Sequence, residues 1–364
     1  MVRLGILGIA SKMWLSYIAQ RALFLFEDHP LLEISAFIAD DPADVGKTLA
    51  EATQDRWQAE EPLPARYAGA KLIAADTQSL KSSGLDIVLS TLPGPQARML
   101  DPQVAAAGIA VVSESVGLRL EPDVPLLVPE INADHLGIIK SQRKARGWER
   151  GFIVTNPVCT AVIIALAMKP FVDAFGLRAC VLTTLQSLSG AGYRGIPSLA
   201  VLDNLLPFID QEEEKLHSEL PKIFGTYRDG KIVPHPAPFA CTATRVPVRD
   251  GHTASITLDL ERTPDLGKMA ALIDGCRGRA QALNLPHAPK QPLVYRPEPD
   301  RPQPQLDRNR GDGMVVSVGR VRPAPAFDHG VGFVAVGHNH GRGTYGNSVL
   351  LTELLVKEGL VGRA

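Results

Sequence analysis

Cysteine is scarce in this sequence, and the few that occur stand apart. The four in 364 residues are Cys159, Cys180, Cys241 and Cys276, with no CxxC pair and no Cys/His group at metal-ligand spacing. A disulfide-framed secreted domain is thereby excluded, no metal is expected, and the plain expectation is reduced thiols in a cytoplasmic protein. Charge of one sign is lacking too: 38 Lys and Arg stand against 39 Asp and Glu, a net charge of -1. Without a basic field, neither nucleic acid nor an anionic membrane surface is expected as a partner. No stretch reaches about 18 uncharged apolar residues, so no membrane span is expected. The opening "MVRLGILGIA" has no charged segment ahead of an apolar run and cleavage site, so it does not read as a signal peptide.

What is present is ordinary globular composition, 45% hydrophobic and 21% charged. The chain is too long for one ordinary core, and two domains are expected. "VRLGILG", "LLEISAFIAD", "LDIVLSTLPG" and "GIAVVSES" are apolar strands, with a helical pattern through Trp14, Ile18, Ala22 and Leu25 after the first. Such alternation predicts an α/β fold whose N-terminal part is a doubly wound, Rossmann-type parallel sheet. From about Ile153 longer strands mix with helices, which predicts a second, α+β unit with a mixed sheet. The expected division is 1–155 with the C-terminal helix 341–364 returning to it, and 156–340 as the catalytic and dimerisation domain. The Pro- and Arg-rich "VYRPEPDRPQPQLDRNRGDG" is expected to be a long irregular surface segment.

"GILGIASKMW" lies where a dinucleotide-binding turn belongs, after the first strand. Only Gly5 and Gly8 are glycine there; Ser11 and Trp14 occupy later positions where small residues would serve. A bare strand-to-helix turn would account for the same residues. At the end of the second strand, Asp40 is placed to accept from a ribose 2′-hydroxyl, and with Asp41 to repel a 2′-phosphate. That pattern leans toward NAD over NADP, although Asp41-Pro42 could equally open a turn.

The junction "FIVTNPVCTAVI" raises a sharper question. Cys159 is expected in the first turn of a helix, where free N–H groups and the positive dipole end lower a thiol pKa. A packed thiol is the competing reading. Of nine histidines, His252 is the best candidate base, following the turn Asp250-Gly251 and lying seven residues after Arg245.

Here the residues resemble a known family. "FIVTNPVCTA", "TTLQSLSGAGYRGIPSLAVLDNLLPFI", "EEEKLHSELPKI", "TRVPVRDGH", "VVSVGRVRP" and "HNHGRGTYGNSVLLTELL" are similar to aspartate-β-semialdehyde dehydrogenases of the archaeal and fungal branch. The resemblance runs over nearly the whole chain and extends to the related malonyl-CoA reductases. It implies that Cys159 is the nucleophile forming an acyl-enzyme, His252 the general acid/base, and Gln186 the residue orienting substrate at the thioester. It implies Arg245 for a substrate carboxylate, one of Glu212–Glu214 (Glu213 is taken) for the ammonium, and Lys215 and Arg119 for phosphate. Gly8, Ser11, Asp40, the Ser189-Gly190 loop and Asn347 are the implied cofactor contacts, with NAD(P) as cofactor and a homodimer or homotetramer as the assembly.

The departures from the family pattern gather on the cofactor and phosphate side. They are Ser11 and Trp14 in the glycine loop, "ADDPADVGK" after the second strand, Glu114 in "SES", and Val158 where the family carries a second Asn. The substrate-side set Cys159, Gln186, Arg245 and His252 is complete. The leading expectation is a reversible NAD(P)-dependent, phosphorylating aldehyde dehydrogenase working through a Cys159 thioester on aspartyl phosphate or a close analogue. Reduction of an acyl-CoA such as malonyl-CoA is the second reading. A non-redox relative that keeps the thiol chemistry without dinucleotide binding is the third.

Overall fold

The computed structural model describes residues 1–13, 15–192 and 194–362; Trp14, and the expectation placed on it, lies outside them. Six strands form the first sheet: β1 (Val2–Leu7), β2 (Leu32–Ile38), β3 (Leu72–Ile73), β4 (Ile87–Ser90), β5 (Ala110–Ser113) and β6 (Phe152–Thr155). Their order is β3-β2-β1-β4-β5-β6 and every pairing is parallel. Strands β4, β5 and β6 are buried along their whole length, as continuous apolar runs covered on both faces must be. The order reverses between β1 and β4, and a doubly wound sheet of this kind opens its binding crevice beyond the carboxyl ends there.

Strands β7 (Ala179–Gln186), β8 (Thr226–Arg228), β9 (Lys231–Val233), β10 (Phe239–Arg245), β11 (His252–Asp259), β12 (Leu293–Arg296), β13 (Val316–Pro323) and β14 (Gly330–Gly337) follow. β8 and β9 make a small hairpin; the rest form a mixed sheet ordered β10-β7-β11-β14-β13-β12. β11 alternates buried and half-buried residues strictly, so one face meets the core and the other stays open. The Cys159–Phe175 helix is apolar nearly all round and fills the core face, with the Glu212–Ile223 helix beside it. The C-terminal helix, Tyr345–Lys357, packs on the Ser16–Phe26 helix and on β4 and β5 of the first sheet.

The segment expected to be irregular is a correction. Leu293–Arg296 is the edge strand β12, parallel to β13, and Pro304–Asp307 is a helical turn. The physical reason is Asp307, whose buried carboxylate accepts from Arg301 Nε at 2.8 Å and Nη2 at 2.7 Å, and from the Gln303 backbone N–H at 2.7 Å. Burial by itself would raise the Asp307 pKa, but Arg301 and the Gln303 N–H outweigh it and hold the carboxyl below its ordinary value. Charges that read as a solvated run thus converge on one acid. Asp307→Ala leaves these donors unpaired and should cost about 2–4 kcal/mol in denaturant titrations. A group with a lowered folded pKa stabilises above its unfolded value, so this increment should vanish as pH falls through the carboxylate range in the wild type, measurable as convergence of the two proteins' stabilities.

Candidate active site

The chain leaves β6 at Thr155, turns at Asn156-Pro157, and starts the long helix at Cys159 after an extended Val158 (φ −60°, ψ 141°). The residue before a proline is steered away from helical angles, which places the break and exposes the helix N-terminus. That end is not left to a ligand. The Val158 N–H donates to Glu219 Oε2 at 2.6 Å, and Glu219 Oε1 accepts from Arg119 Nη1 at 3.0 Å. Arg119 Nη2 donates in turn to the Glu114 carbonyl at 2.8 Å.

Facing this terminus, three neighbouring strands run out at one level. Arg245 ends β10 and pairs in register with Gln186, which ends β7, while antiparallel β11 begins at His252 beside them. Cys159 Sγ lies 3.3 Å from His252 Nε2. Glu212 Oε1 accepts from Gln186 Nε2 at 2.9 Å and from the Thr160 hydroxyl at 2.7 Å. Arg245 Nη1 donates to the Ser187 carbonyl at 2.7 Å, and its buried Nε has no partner among the described residues. Gly190 closes over the group; a Cβ there would sit 2.8 Å from Arg245 Nη1, so the close approach requires glycine.

Beside this cluster a cleft of about 320 Å³ runs between the sheets, lined by Tyr17, Gln58, Ser189, Asp250 and His340 among others. On the first-sheet side Gly8 has φ +93°, and a Cβ on it would meet Thr91 Oγ1 at 2.9 Å. Ser11 is buried in the same turn, near the Asp40 carboxyl at the end of β2. Burial raises the Asp40 pKa against the lowering effect of Ser11. Asp41 instead pairs with Lys12 at 2.9 Å and caps the turn at Ala43. A glycine cradle, a hydroxyl and a strand-end carboxylate at a sheet switch point fit a dinucleotide.

Two family models match, "Semialdehyde dehydrogenase, NAD binding domain" over residues 5–139 and "Semialdehyde dehydrogenase, dimerisation domain" over 168–340. An aspartate-semialdehyde dehydrogenase of Methanothermobacter thermautotrophicus is 38% identical, covering 98% of this chain and 99% of the relative. A malonyl CoA reductase (NADP) of Metallosphaera sedula is 33% identical over 100% of this chain and 99% of its own. Among solved structures, Candida albicans aspartate semialdehyde dehydrogenase with NADP superposes with a TM-score of 0.87 at 31% identity, covering 99% of both chains. The chain belongs to the semialdehyde dehydrogenase family. It is an aspartate-semialdehyde-dehydrogenase-like oxidoreductase with an NAD(P)-binding domain.

Cys159, His252, Gln186 and Arg245, which the family resemblance singled out, lie together at the ends of β7, β10 and β11 and the start of the Cys159–Phe175 helix. Three expectations change. Glu213 turns away, accepting the Ala243 backbone N–H at 2.9 Å, and Glu212 is the acid that faces the thiol. Successive helical residues point about 100° apart, so one of three consecutive acids can look inward. Asn347 is wholly enclosed in the C-terminal helix, its amide nitrogen donating to Asn156 Oδ1 at 2.5 Å and the Leu127 carbonyl at 3.1 Å; its Oδ1 has no partner among the described residues. The Cys159 thiol, expected to be lowered by the helix end, is pushed up to about 12 by burial and then by Glu212. Burial and the charge of Arg245 hold His252 well below its ordinary value, so the resting pair is neutral.

The two phosphate candidates also differ from each other. Arg119 is buried in its ion pair with Glu219, whereas Lys215 stands at the rim, 3.8 Å from Glu212 Oε2. Glu219, Ser187 and Asn339 were not singled out from sequence. A signal for Glu219 existed: it lies seven residues after Glu212 on the stripe Glu212, Leu216, Glu219, Ile223 that the helix buries. If Glu212 is the acid raising the thiol, Glu212→Gln should lower the Cys159 pKa and speed its alkylation at pH 9 by about 3–10-fold, one pKa unit being tenfold. Glu213→Gln should leave the rate unchanged, as followed by mass spectrometry of the labelled Cys159 peptide.

Proposed function

We propose that this protein reversibly reduces an acyl phosphate, aspartyl phosphate or a close analogue, to the aldehyde through a thioester on Cys159. The observation that carries the reading is the 3.3 Å approach of Cys159 Sγ to His252 Nε2 at a point where Gln186 and Arg245 also end their strands. His252 Nε2 takes the thiol proton, sulfur bonds to the acyl carbon, and the carbon–oxygen bond to phosphate breaks. Gln186, held by Glu212, orients the acyl group. Arg245 receives the substrate carboxylate on its guanidinium, a planar fork suited to that group. Glu212, in place of Glu213, receives the ammonium, and Lys215 at the rim meets the phosphate, with Arg119 behind it, paired with Glu219.

Bound NAD(P) supplies or accepts the hydride in the redox half of the reaction. Gly8, Ser11 and Asp40 on the first sheet and Ser189 and Gly190 on the second would hold it; Asn347 is enclosed and would act only through Asn156. Asp40, which has no cation paired with it among the described residues while Asp41 pairs with Lys12, supports NAD over NADP as an acid placed for a ribose hydroxyl. The Gly8 cradle and the cleft beside it support the redox reading over thiol chemistry alone. The acyl-CoA reading draws its support from Val158, which puts an apolar, half-buried side chain where an amide would meet phosphate. A homodimer or homotetramer belongs to the same proposal, supported by the open face of the second sheet, on which Val181 is 45% exposed. A reducing cytoplasm suits the four free thiols.

A phosphate-dependent oxidation assay with aspartate semialdehyde tests the reading. Turnover should require phosphate and fall by at least about 10³-fold in Cys159→Ala. Turnover that instead requires coenzyme A would replace this substrate class with acyl-CoA. In calorimetry NAD should bind more tightly than NADP; the opposite order overturns the role given to Asp40.

A further inference from the structure

The nitrogen of His252 that faces away from the thiol meets an unusual partner. Its Nδ1 accepts the backbone N–H of Ser187 at 3.1 Å. A ring nitrogen that accepts cannot carry a proton, so in this arrangement the neutral imidazole holds its proton on Nε2, aimed at Cys159 Sγ. An imidazole so arranged donates to sulfur and cannot receive the thiol proton. A second group is placed to reverse this. The Ser187 hydroxyl oxygen is 3.2 Å from the same Nδ1, and its own proton is directed to Asn339 Oδ1, also at 3.2 Å. Asn339 has little freedom to turn: its Oδ1 accepts the Gly251 N–H at 2.9 Å and its Nδ2 donates to the Ser189 hydroxyl at 2.9 Å.

We propose that Ser187 and Asn339 are positioning residues that decide which nitrogen of His252 carries the proton. With the Ser187 hydrogen parked on Asn339, the hydroxyl oxygen can accept from Nδ1–H, which leaves Nε2 bare and able to take the thiol proton. The resulting imidazolium keeps its Nδ1–H on the Ser187 oxygen and its Nε2–H on the thiolate, so one proton has moved from sulfur to nitrogen while the Ser187 backbone N–H gives up Nδ1 as its acceptor. With the backbone N–H on Nδ1 instead, the histidine rests as a donor and the thiol stays protonated. His252 is thus held between two tautomers by one residue, and Asn339 keeps the second available. The other groups facing His252 are Arg245, His340 and His338 together with Cys159. Burial leaves both histidines below their ordinary pKa, so Arg245 is the one standing charge among them, and it opposes the imidazolium. The acceptor offered by Ser187 is therefore the group on this side that favours proton uptake.

The inference rests on Cys159 and His252 acting together, but its test needs neither substrate nor cofactor, so failure of the proposed reaction leaves it standing. Iodoacetamide labelling of Cys159 in the intact protein is followed by mass spectrometry from pH 6 to 9. Wild type should label at pH 7 about tenfold faster than His252→Ala. Ser187→Ala, which keeps the backbone N–H and loses the acceptor, should label as slowly as His252→Ala, and Asn339→Ala should follow it. Ser187→Thr should recover the wild-type profile. Asn339→Asp, which keeps both acceptor contacts and adds a negative charge behind the hydroxyl, should label at or above the wild-type rate. Wild type and His252→Ala labelling alike would overturn the proposal. So would Ser187→Ala keeping the wild-type pH profile, Ser187→Thr labelling as slowly as Ser187→Ala, or Asn339→Asp slowing with Asn339→Ala.

Discussion

The carboxylate of Glu219 joins the two halves of this protein at the place where chemistry is done. One oxygen holds the Val158 N–H at the start of the Cys159 helix, and the other holds Arg119 from the loop after β5. A carboxylate buried in this way is stable only because both partners are present, since an unpaired buried charge costs several kcal/mol. The arrangement sets the height of the helix start against the first sheet, and the helix carries Cys159 to the ends of β7, β10 and β11. Lys222, one turn further along the same helix as Glu219, donates to the carbonyls of Arg119, Glu121 and Val124 and ties down the loop that delivers Arg119.

Filling the helix N-terminus with the protein's own acid has an electrostatic consequence. The positive end of the dipole, suited to a thiolate, already faces the Glu219 carboxyl, and Glu212 nearby is the acid that raises the thiol. Burial and Glu212 keep the thiol protonated, while burial and Arg245 keep His252 neutral. The resting site is therefore uncharged at the sulfur and charged around it. A substrate carrying a carboxylate, an ammonium and a phosphate would rebalance it, the carboxylate drawing on Arg245 and the ammonium on Glu212. Activation of the nucleophile is in this sense coupled to occupancy by a substrate of matching charge.

Much of this was legible in the chain. The continuous apolar runs of β4 to β6 announce a sheet covered on both faces, and Asn156-Pro157 announces where a strand must stop and a helix begin. Cys159, Gln186, Arg245 and His252 could be picked out with their motifs. The choice among Glu212, Glu213 and Glu214 could not, because consecutive acids have the same composition and differ only in the direction each faces on the helix. The arginines before Asp307 likewise look solvated in one dimension and prove to be the reason that β12 exists. Neutrality of Cys159 was illegible because a helix end and a buried acid shift a thiol in opposite directions, and only packing says how near each one lies.

The sequence by itself determined the kinds of elements and their order, since these follow from hydrophobic period and turn residues along a single strand of chain, and its family motifs named the candidate reacting groups. Tertiary structure alone decided which acid turns inward, which cation is spent inside the protein, and which nitrogen of His252 meets a donor. Those outcomes depend on residues dozens of positions apart, as Ser187, His252 and Asn339 are, arriving within a hydrogen bond of one another. Local rules act over a few residues, and a contact of that kind exists only once the strands have found their register.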